Sequence, residues 1–297
     1  MQILKSLLLL FLILNLSVDV LGQDKSDRIH HYLKFNSAKE LQEFFRYKKE
    51  DMPLISGHRG GSEPGYPENS IESFENVLQY TPAFFEIDPR LTKDSVIVLM
   101  HDATLERTSN VAGNLNELTW EEVKKLKLKD ADGQVTAFRI PTLEEVIEWS
   151  NGKTIVNLDH KDVPMQLTAD LVKRLDAFDH VMITVHKPSE ARFYLDQHPD
   201  FMFSAFIRSL EELQAYEEEK IPWDHLMAYV GSFSKPENKK LYKKLHSKGV
   251  KVMVSAATSY DKMEAGEEQD EAYKTVFIDG ADVLESDYPI RVAKAIR

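Results

Sequence analysis

The sequence predicts an α/β chain folded as a (β/α)8 barrel of the TIM type. Three observations predict it. Nine short apolar, β-branched runs recur along the chain, most of them separated by stretches with helical patterning. One of the nine reads as the return arm of a hairpin, which leaves eight for a closed parallel barrel. No Pro- or Ser-rich linker, low-complexity tract or internal repeat divides the 297 residues, and 42% hydrophobic content is enough for one large core.

The chain opens on a segment apart from the fold. Lys5 gives a basic start, Leu7 to Leu16 is densely apolar, and Val20-Leu21-Gly22 precedes Gln23. The pattern reads as a secretory signal over 1–22 with cleavage near Gly22, leaving 23–297 as an exported domain, periplasmic or extracellular. The apolar run is short for a membrane span, and Asn15 and Asp19 interrupt its end, so no stable membrane insertion is expected after cleavage. With no cysteine in the chain, thioether lipid attachment, disulfides and thiolate metal sites are all excluded.

A helix is expected over Ala38 to Lys48, followed by a first strand, Leu54-Ile55-Ser56, that ends on Gly57-His58-Arg59-Gly60-Gly61. Asn69, three residues before Glu72, reads as an N-cap, and Ile71, Phe74 and Leu78 share one helical face. The next strand, Phe84 to Asp88, places Glu86 and Asp88 on one side by its period of two. Val96 to Met100 follows too soon for a helical crossover, so the chain must turn around Lys93-Asp94 as a hairpin. Pairing Leu91 with Val96 sets Glu86 opposite His101. An insertion is expected over about 103–139, with a capping box at Thr119 and Glu122 and a helix behind it. A second box, Thr142 with Glu145, starts a helix running to Trp149. The remaining strands are Thr154–Leu158, Val181–Val185, Met202–Ile207, Leu226–Val230, Val250–Val254 and Asp282–Leu284, with Leu226–Val230 the least regular. Helical patterning covers Gln166 to Asp176, Leu210 to Glu218 and Pro236 to His246.

In such a barrel the C-terminal strand ends converge on one face, where active sites sit. Here they carry His58 and Arg59, then Glu86 and Asp88, then Asp159 and Lys161. Three carboxylates without a thiolate describe a hard-cation site, suited to one Mg2+ or Ca2+. Two imidazoles that titrate near neutrality, His58 and His101, supply an acid and a base. The Arg59 fork and the Lys161 point charge suit phosphate oxygens. Together these are the parts for cleaving a phosphodiester. With 37 basic against 49 acidic residues and a net charge of −12, the chain is not expected to bind nucleic acid. Nothing in the sequence sets an oligomeric state.

These residues resemble the glycerophosphodiester phosphodiesterase family. The resemblance rests on His58-Arg59-Gly60, Pro67-Glu68-Asn69-Ser70, Glu86-Ile87-Asp88, Thr92-Lys93-Asp94-Ser95, His101-Asp102 and Thr104-Leu105-Glu106-Arg107-Thr108. Asp159-His160-Lys161 is similar to the family's Glu-x-Lys strand, and Gly280-Ala281-Asp282 through Ser286-Asp287-Tyr288-Pro289 to its closing motif. It implies a TIM barrel with His58 and His101 as the acid–base pair, metal ligation by Glu86, Asp88 and Asp159, and phosphate contacts from Arg59 and Lys161. It further implies hydrolysis of a small glycerophosphodiester to glycerol 3-phosphate and an alcohol. Two positions depart from the pattern. Asp159 stands where the family has glutamate, and Val252 to Thr258 lacks the tryptophan of the family's Trp-Thr-x-Asn strand, a residue that walls the substrate pocket.

Other polar residues read more plainly. Glu68 holds the loop and helix start in preference to metal, and Asp102 either orients His101 or caps the turn. His30, His31, His180, His198 and His246 read as structural, as does His160, which alternates away from Asp159 and Lys161. His186 follows a strand and could reach the pocket. Trp120 and Trp149 read as core, while Trp223, Phe233 and Tyr260 are candidates either for packing or for the cleft wall. Two other functions stay open: a phospholipase-D-like or cyclising phosphodiesterase, and a non-catalytic barrel that captures phosphodiesters or glycans.

Overall fold

The computed structural model describes residues 30–297, and the expected signal segment lies outside them. Eight parallel strands close a barrel: β1 (Leu54–His58), β2 (Phe84–Ile87), β5 (Val156–Leu158), β6 (Val181–Val185), β7 (Met202–Phe206), β8 (Leu226–Tyr229), β9 (Lys251–Ser255) and β10 (Val283–Ser286). Between β2 and β5 the chain makes a separate antiparallel pair, β3 (Pro89–Leu91) with β4 (Ile97–Leu99). All eight expected barrel strands are present, Leu226–Tyr229 included, and closure sets β1 between β2 and β10.

Alternation along each strand sorts the residues. Outward positions such as Phe85, Ile87, Val156, Ile183, Phe203 and Val252 pack beneath the surrounding helices in one large cluster. Inward positions near the strand starts form a second cluster: Phe84, Ile155, Met182, Met202, Met227, Met253 and Val283. The helix Ala38–Phe45 closes this end of the barrel with Leu41 and Phe45. One step further along the strands, the inward layer turns polar, with Ser56, Glu86, Asn157, Thr184, Ser204, Ser255 and Glu285 all buried. Polar groups this deep need partners or a ligand. The barrel is therefore apolar at its base and polar toward the C-terminal ends of its strands.

The insertion folds over a small core of its own, built from Val98, Met100, Leu105, Leu115, Val123, Leu128 and Ile140. Both expected capping boxes form, but the helix after Thr119 is a single turn, Trp120–Val123. Two local expectations are corrected. Ser70, not Asn69, caps the helix Ile71–Leu78, its side chain accepting from the Ser73 N–H at 3.2 Å. The hairpin register is shifted by one residue, with Leu91 opposite Ile97 instead of Val96. Asp88, rather than Ile87, therefore faces Met100, and its carbonyl accepts from the Met100 N–H at 2.9 Å. Among the described residues, no helix is long and apolar enough to cross a membrane.

Candidate active site

The first strand delivers His58 through a largely buried turn of unusual backbone. Gly57 lies so close to the Phe85 ring that a Cβ would approach it to 2.8 Å, which only glycine tolerates. Arg59 then adopts φ 54° and Asn69 φ 56°, left-handed conformations that are costly for residues with a side chain. Both are held by the site itself. The Arg59 N–H donates to the Glu86 carbonyl at 3.0 Å. Asn69 donates through Nδ2 to Asp88 Oδ2 at 2.7 Å and accepts from the Asp88 N–H at 3.0 Å. Strain of this kind concentrates at sites whose geometry is over-determined by surrounding bonds.

The two histidines are held alike. His58 Nδ1 sits 2.6 Å from Asp287 Oδ1, and His101 Nδ1 sits 2.7 Å from Asp102 Oδ1. Each ring is thus oriented by a carboxylate on Nδ1, with Nε2 left for chemistry. His58 Nε2 points toward the carboxylates, 3.9 Å from Glu86 Oε2. Burial lowers the His58 pKa, but the Asp287 hydrogen bond and the Glu285 charge outweigh it and hold the imidazole above its ordinary value. Behind Asp102, Arg107 bonds to it at 2.6 Å and to both Glu68 oxygens at 2.7 and 2.8 Å, and Glu68 also takes Arg59 at 3.3 Å. Those Arg107 bonds keep the Asp102 carboxyl well below the usual carboxylate range. Asp102 therefore orients His101, and Glu68 ties the first loop to the insertion, outside the cluster of Glu86, Asp88 and Asp159.

Asp287 rests in turn on Asp261, a buried carboxylate that accepts from Tyr273 Oη at 2.7 Å, Ser286 Oγ at 2.9 Å and the Asp287 N–H at 2.6 Å. Neither Asp287, Asp261 nor Arg107 was assigned a role from sequence. Asp287 is 229 positions from His58, and only the closure of β1 against β10 brings them together.

Glu86, Asp88 and Asp159 each direct an oxygen into one small volume, all within 4.8 Å of one another. Lys161 lies against them, 2.5 Å from Asp159 Oδ2 and 3.1 Å from Asp88 Oδ1. Burial, then the charges of Asp88, Glu285 and Asp159, drives the Glu86 pKa well above normal. Asp88 goes the other way: burial would raise it, but Lys161 and Arg59 bring it below its ordinary value. Asp88 Oδ1 is buried and meets only the Lys161 ammonium, at 3.1 Å. A cluster of self-repelling oxygen donors, with the Lys161 ammonium against Asp88 and Asp159, fits a hard divalent cation.

His58, Glu86 and Asp159 open onto a cavity of about 190 Å³ that runs down onto the polar layer. Asn157, Thr184, Ser204, Ser255 and Glu285 line its floor, and Phe206 and Tyr229 its wall. Trp223 instead packs against the outer core, and neither Phe233 nor Tyr260 reaches this cavity. Met253, Ser255, Ala257 and Thr258 line the side where the expected tryptophan is missing. His160 and His186 both lie exposed and neither lines this cavity, so His186 does not reach the pocket.

A TIM barrel that gathers a carboxylate cluster and two carboxylate-oriented histidines at one end defines a class of barrel phosphodiesterases. Residues 58–269 match the glycerophosphoryl diester phosphodiesterase family. The chain belongs to that family. It is 53% identical to a glycerophosphoryl diester phosphodiesterase of Parabacteroides distasonis of known structure, with a TM-score of 0.89 over 90% of this chain and 94% of that one. A glycerophosphodiester phosphodiesterase of Caldanaerobacter subterraneus subsp. tengcongensis is 40% identical over 110 residues, 36% of this chain and 45% of that protein. The chain spans about half the length of the curated relatives it matches. An Oleispira antarctica phosphodiesterase solved with its product sn-glycerol-3-phosphate shares the fold at 19% identity and a TM-score of 0.63, over 88% of this chain and 99% of that one.

Proposed function

We propose that the protein hydrolyses glycerophosphodiesters to glycerol 3-phosphate and an alcohol, with the help of a divalent cation. The observation that carries this reading is the pairing of His58 with Asp287 and His101 with Asp102 beside the Glu86, Asp88 and Asp159 oxygens. Family membership and the product bound by the Oleispira antarctica enzyme support the same substrate class.

Glu86, Asp88 and Asp159 would hold the cation, either Mg2+ or Ca2+, which supplies charge neutralisation at the phosphoryl group. Asn69 fixes the Asp88 carboxylate through two hydrogen bonds. Arg59 and Lys161 bind the phosphoryl oxygens, Lys161 giving up its contacts with Asp88 and Asp159 to do so. One imidazole Nε2 takes a proton from the attacking water and the other gives a proton to the leaving alcohol. Asp287 and Asp102 keep each ring in register throughout. The polar floor offers hydrogen bonds to a hydroxylated substrate, which favours soluble head-group diesters over intact lipid. We further assign the leader over 1–22 to export, placing the reaction in the periplasm or outside the cell.

Phosphorus NMR of the products of glycerophosphocholine tests the reading. Glycerol 3-phosphate as the final phosphorus species supports it. A cyclic phosphate as the end product would favour the cyclising alternative. No conversion at any cation concentration, with ligand still bound, would favour a capture protein.

A further inference from the structure

A second convergence of metal-ligating side chains lies at the rim of the barrel and takes no part in the chemistry above. Strands β5 and β6 pair with Val156 opposite Val181 and Leu158 opposite Ile183. Just beyond their ends, this register brings His160 and His186 side by side, with ring centroids 6.2 Å apart and planes inclined by 24°. The helix Pro188–Gln197 starts immediately after His186, and its first turn carries Glu190 back to the same spot. One oxygen of Glu190 accepts the His186 N–H at 2.7 Å, which leaves the other available. One ligand atom from each of the three residues lies within 4.8 Å of those of the other two.

We propose that His160, His186 and Glu190 form a second metal site, selective for a borderline divalent transition ion, zinc foremost. Two imidazoles and a carboxylate are the donor set of three-coordinate zinc sites that keep a fourth position open to water or an anion. The same set is a poor host for Mg2+, which prefers oxygen. Ligand atoms around tetrahedral zinc at ~2.1 Å stand about 3.4 Å apart, so the three must draw together by roughly 1 Å. Both rings are exposed, and among the described residues neither has a hydrogen-bond or ion-pair partner to give up. His186 is already steadied edge-on by Phe206, ring centroids 4.3 Å apart at 81°. Since Phe206 walls the catalytic cavity and His160 sits between Asp159 and Lys161, an ion here would tie the ends of β5 and β6 together beside the active cleft. The chain would then hold two cations sorted by hardness, one on carboxylates and one on imidazoles.

The full chain, stripped of metal and then saturated with Mg2+, is titrated with zinc against a chromophoric chelator. Co2+ serves as a spectroscopic probe of the same site. One zinc retained per chain in excess Mg2+, with a tetrahedral Co2+ spectrum, is the expected result. His186→Ala and, separately, Glu190→Gln should each weaken zinc binding by about tenfold or more. Asp159→Asn should leave zinc binding in place while weakening Mg2+. Circular dichroism checks that each variant is folded, and if His186→Ala is not, Glu190→Gln alone decides. Zinc that is displaced by Mg2+, or lost in Asp159→Asn but kept in His186→Ala and Glu190→Gln, would overturn the proposal. So would failure to retain any zinc.

Discussion

Replacing Asp287 by asparagine isolates the electrostatic half of its contact with His58. Asparagine keeps an oxygen within reach of His58 Nδ1, so the ring stays oriented, but the negative charge 2.6 Å away is gone. In the native protein two opposing influences act on His58: burial, the larger single one, disfavours the imidazolium, while Asp287 and Glu285 favour it and prevail. Without the Asp287 charge the His58 pKa must fall. A hydrogen bond to a charged partner is worth about 1.5–3 kcal/mol, so the balance between charged and neutral ring should move toward the neutral form by about 10- to 100-fold. The limb of the kcat/KM profile that reports His58 therefore moves to lower pH, whichever of the two proton transfers the residue performs. Turnover should drop within the range of about 10²–10⁴-fold that a general acid or base supplies. Steady-state kinetics across pH, with the His58 imidazole followed by nitrogen NMR, reads both. An unmoved limb, or one moved to higher pH, would refute the electrostatic reasoning even if activity fell.

Asn69→Ala removes both hydrogen bonds to Asp88 and leaves a buried N–H unpaired, at a cost of about 1–3 kcal/mol, with the left-handed backbone adding about 1–2 kcal/mol. Its melting temperature should fall by several degrees and its cation affinity by about 10–100-fold. An unchanged cation affinity in titration calorimetry would contradict the role given to Asn69. Glu285→Gln tests the burden of the buried acids. Burial raises the Glu285 pKa above its unfolded value, so its ionised form costs stability at high pH, and that cost fades as pH falls through the folded pKa. In EDTA the variant should melt higher than the native protein at pH 8, by about 2–4 °C per kcal/mol relieved, and the gap should narrow toward pH 5. A gap that widens on acidification would reverse the sign of the argument.

The barrel was legible because its signals are local. Each strand is a short apolar run, several helix starts carry a cap, and the eight runs remain once the hairpin is set aside. The hairpin that carries the chain back to His101 was legible too, since the seven residues between Asp88 and Val96 leave no room for a crossover, although Ile87 and not Glu86 stands opposite His101. The exact register was not. A hairpin fixes register through its turn, and Thr92, which bonds the Val96 N–H through Oγ1 at 3.0 Å, pins the pairing one residue away from the expected one. Asn69 and Ser70 are both good N-caps, and nothing nearby chooses between them. The choice is made by Asp88, whose buried N–H and carboxylate need the amide. Asp287 and Asp261 were hidden by distance along the chain, because their partners appear only when the last strand meets the first. The cavity wall stayed open for a similar reason: Phe206 and Tyr229 end neighbouring strands and face inward, whereas Trp223 lies on the turn before a strand and packs outside.

The most direct test of cation-assisted hydrolysis is the release of glycerol 3-phosphate from glycerophosphocholine and glycerophosphoethanolamine by the purified protein. The reaction is run with Mg2+, with Ca2+ and with EDTA, beside Asp159→Asn and His101→Ala. The account predicts release with a divalent cation, loss in EDTA that is reversed by adding the cation back, a raised cation requirement in Asp159→Asn, and a fall of about 10²-fold or more in His101→Ala. Undiminished release in EDTA, or native turnover in His101→Ala, would contradict it.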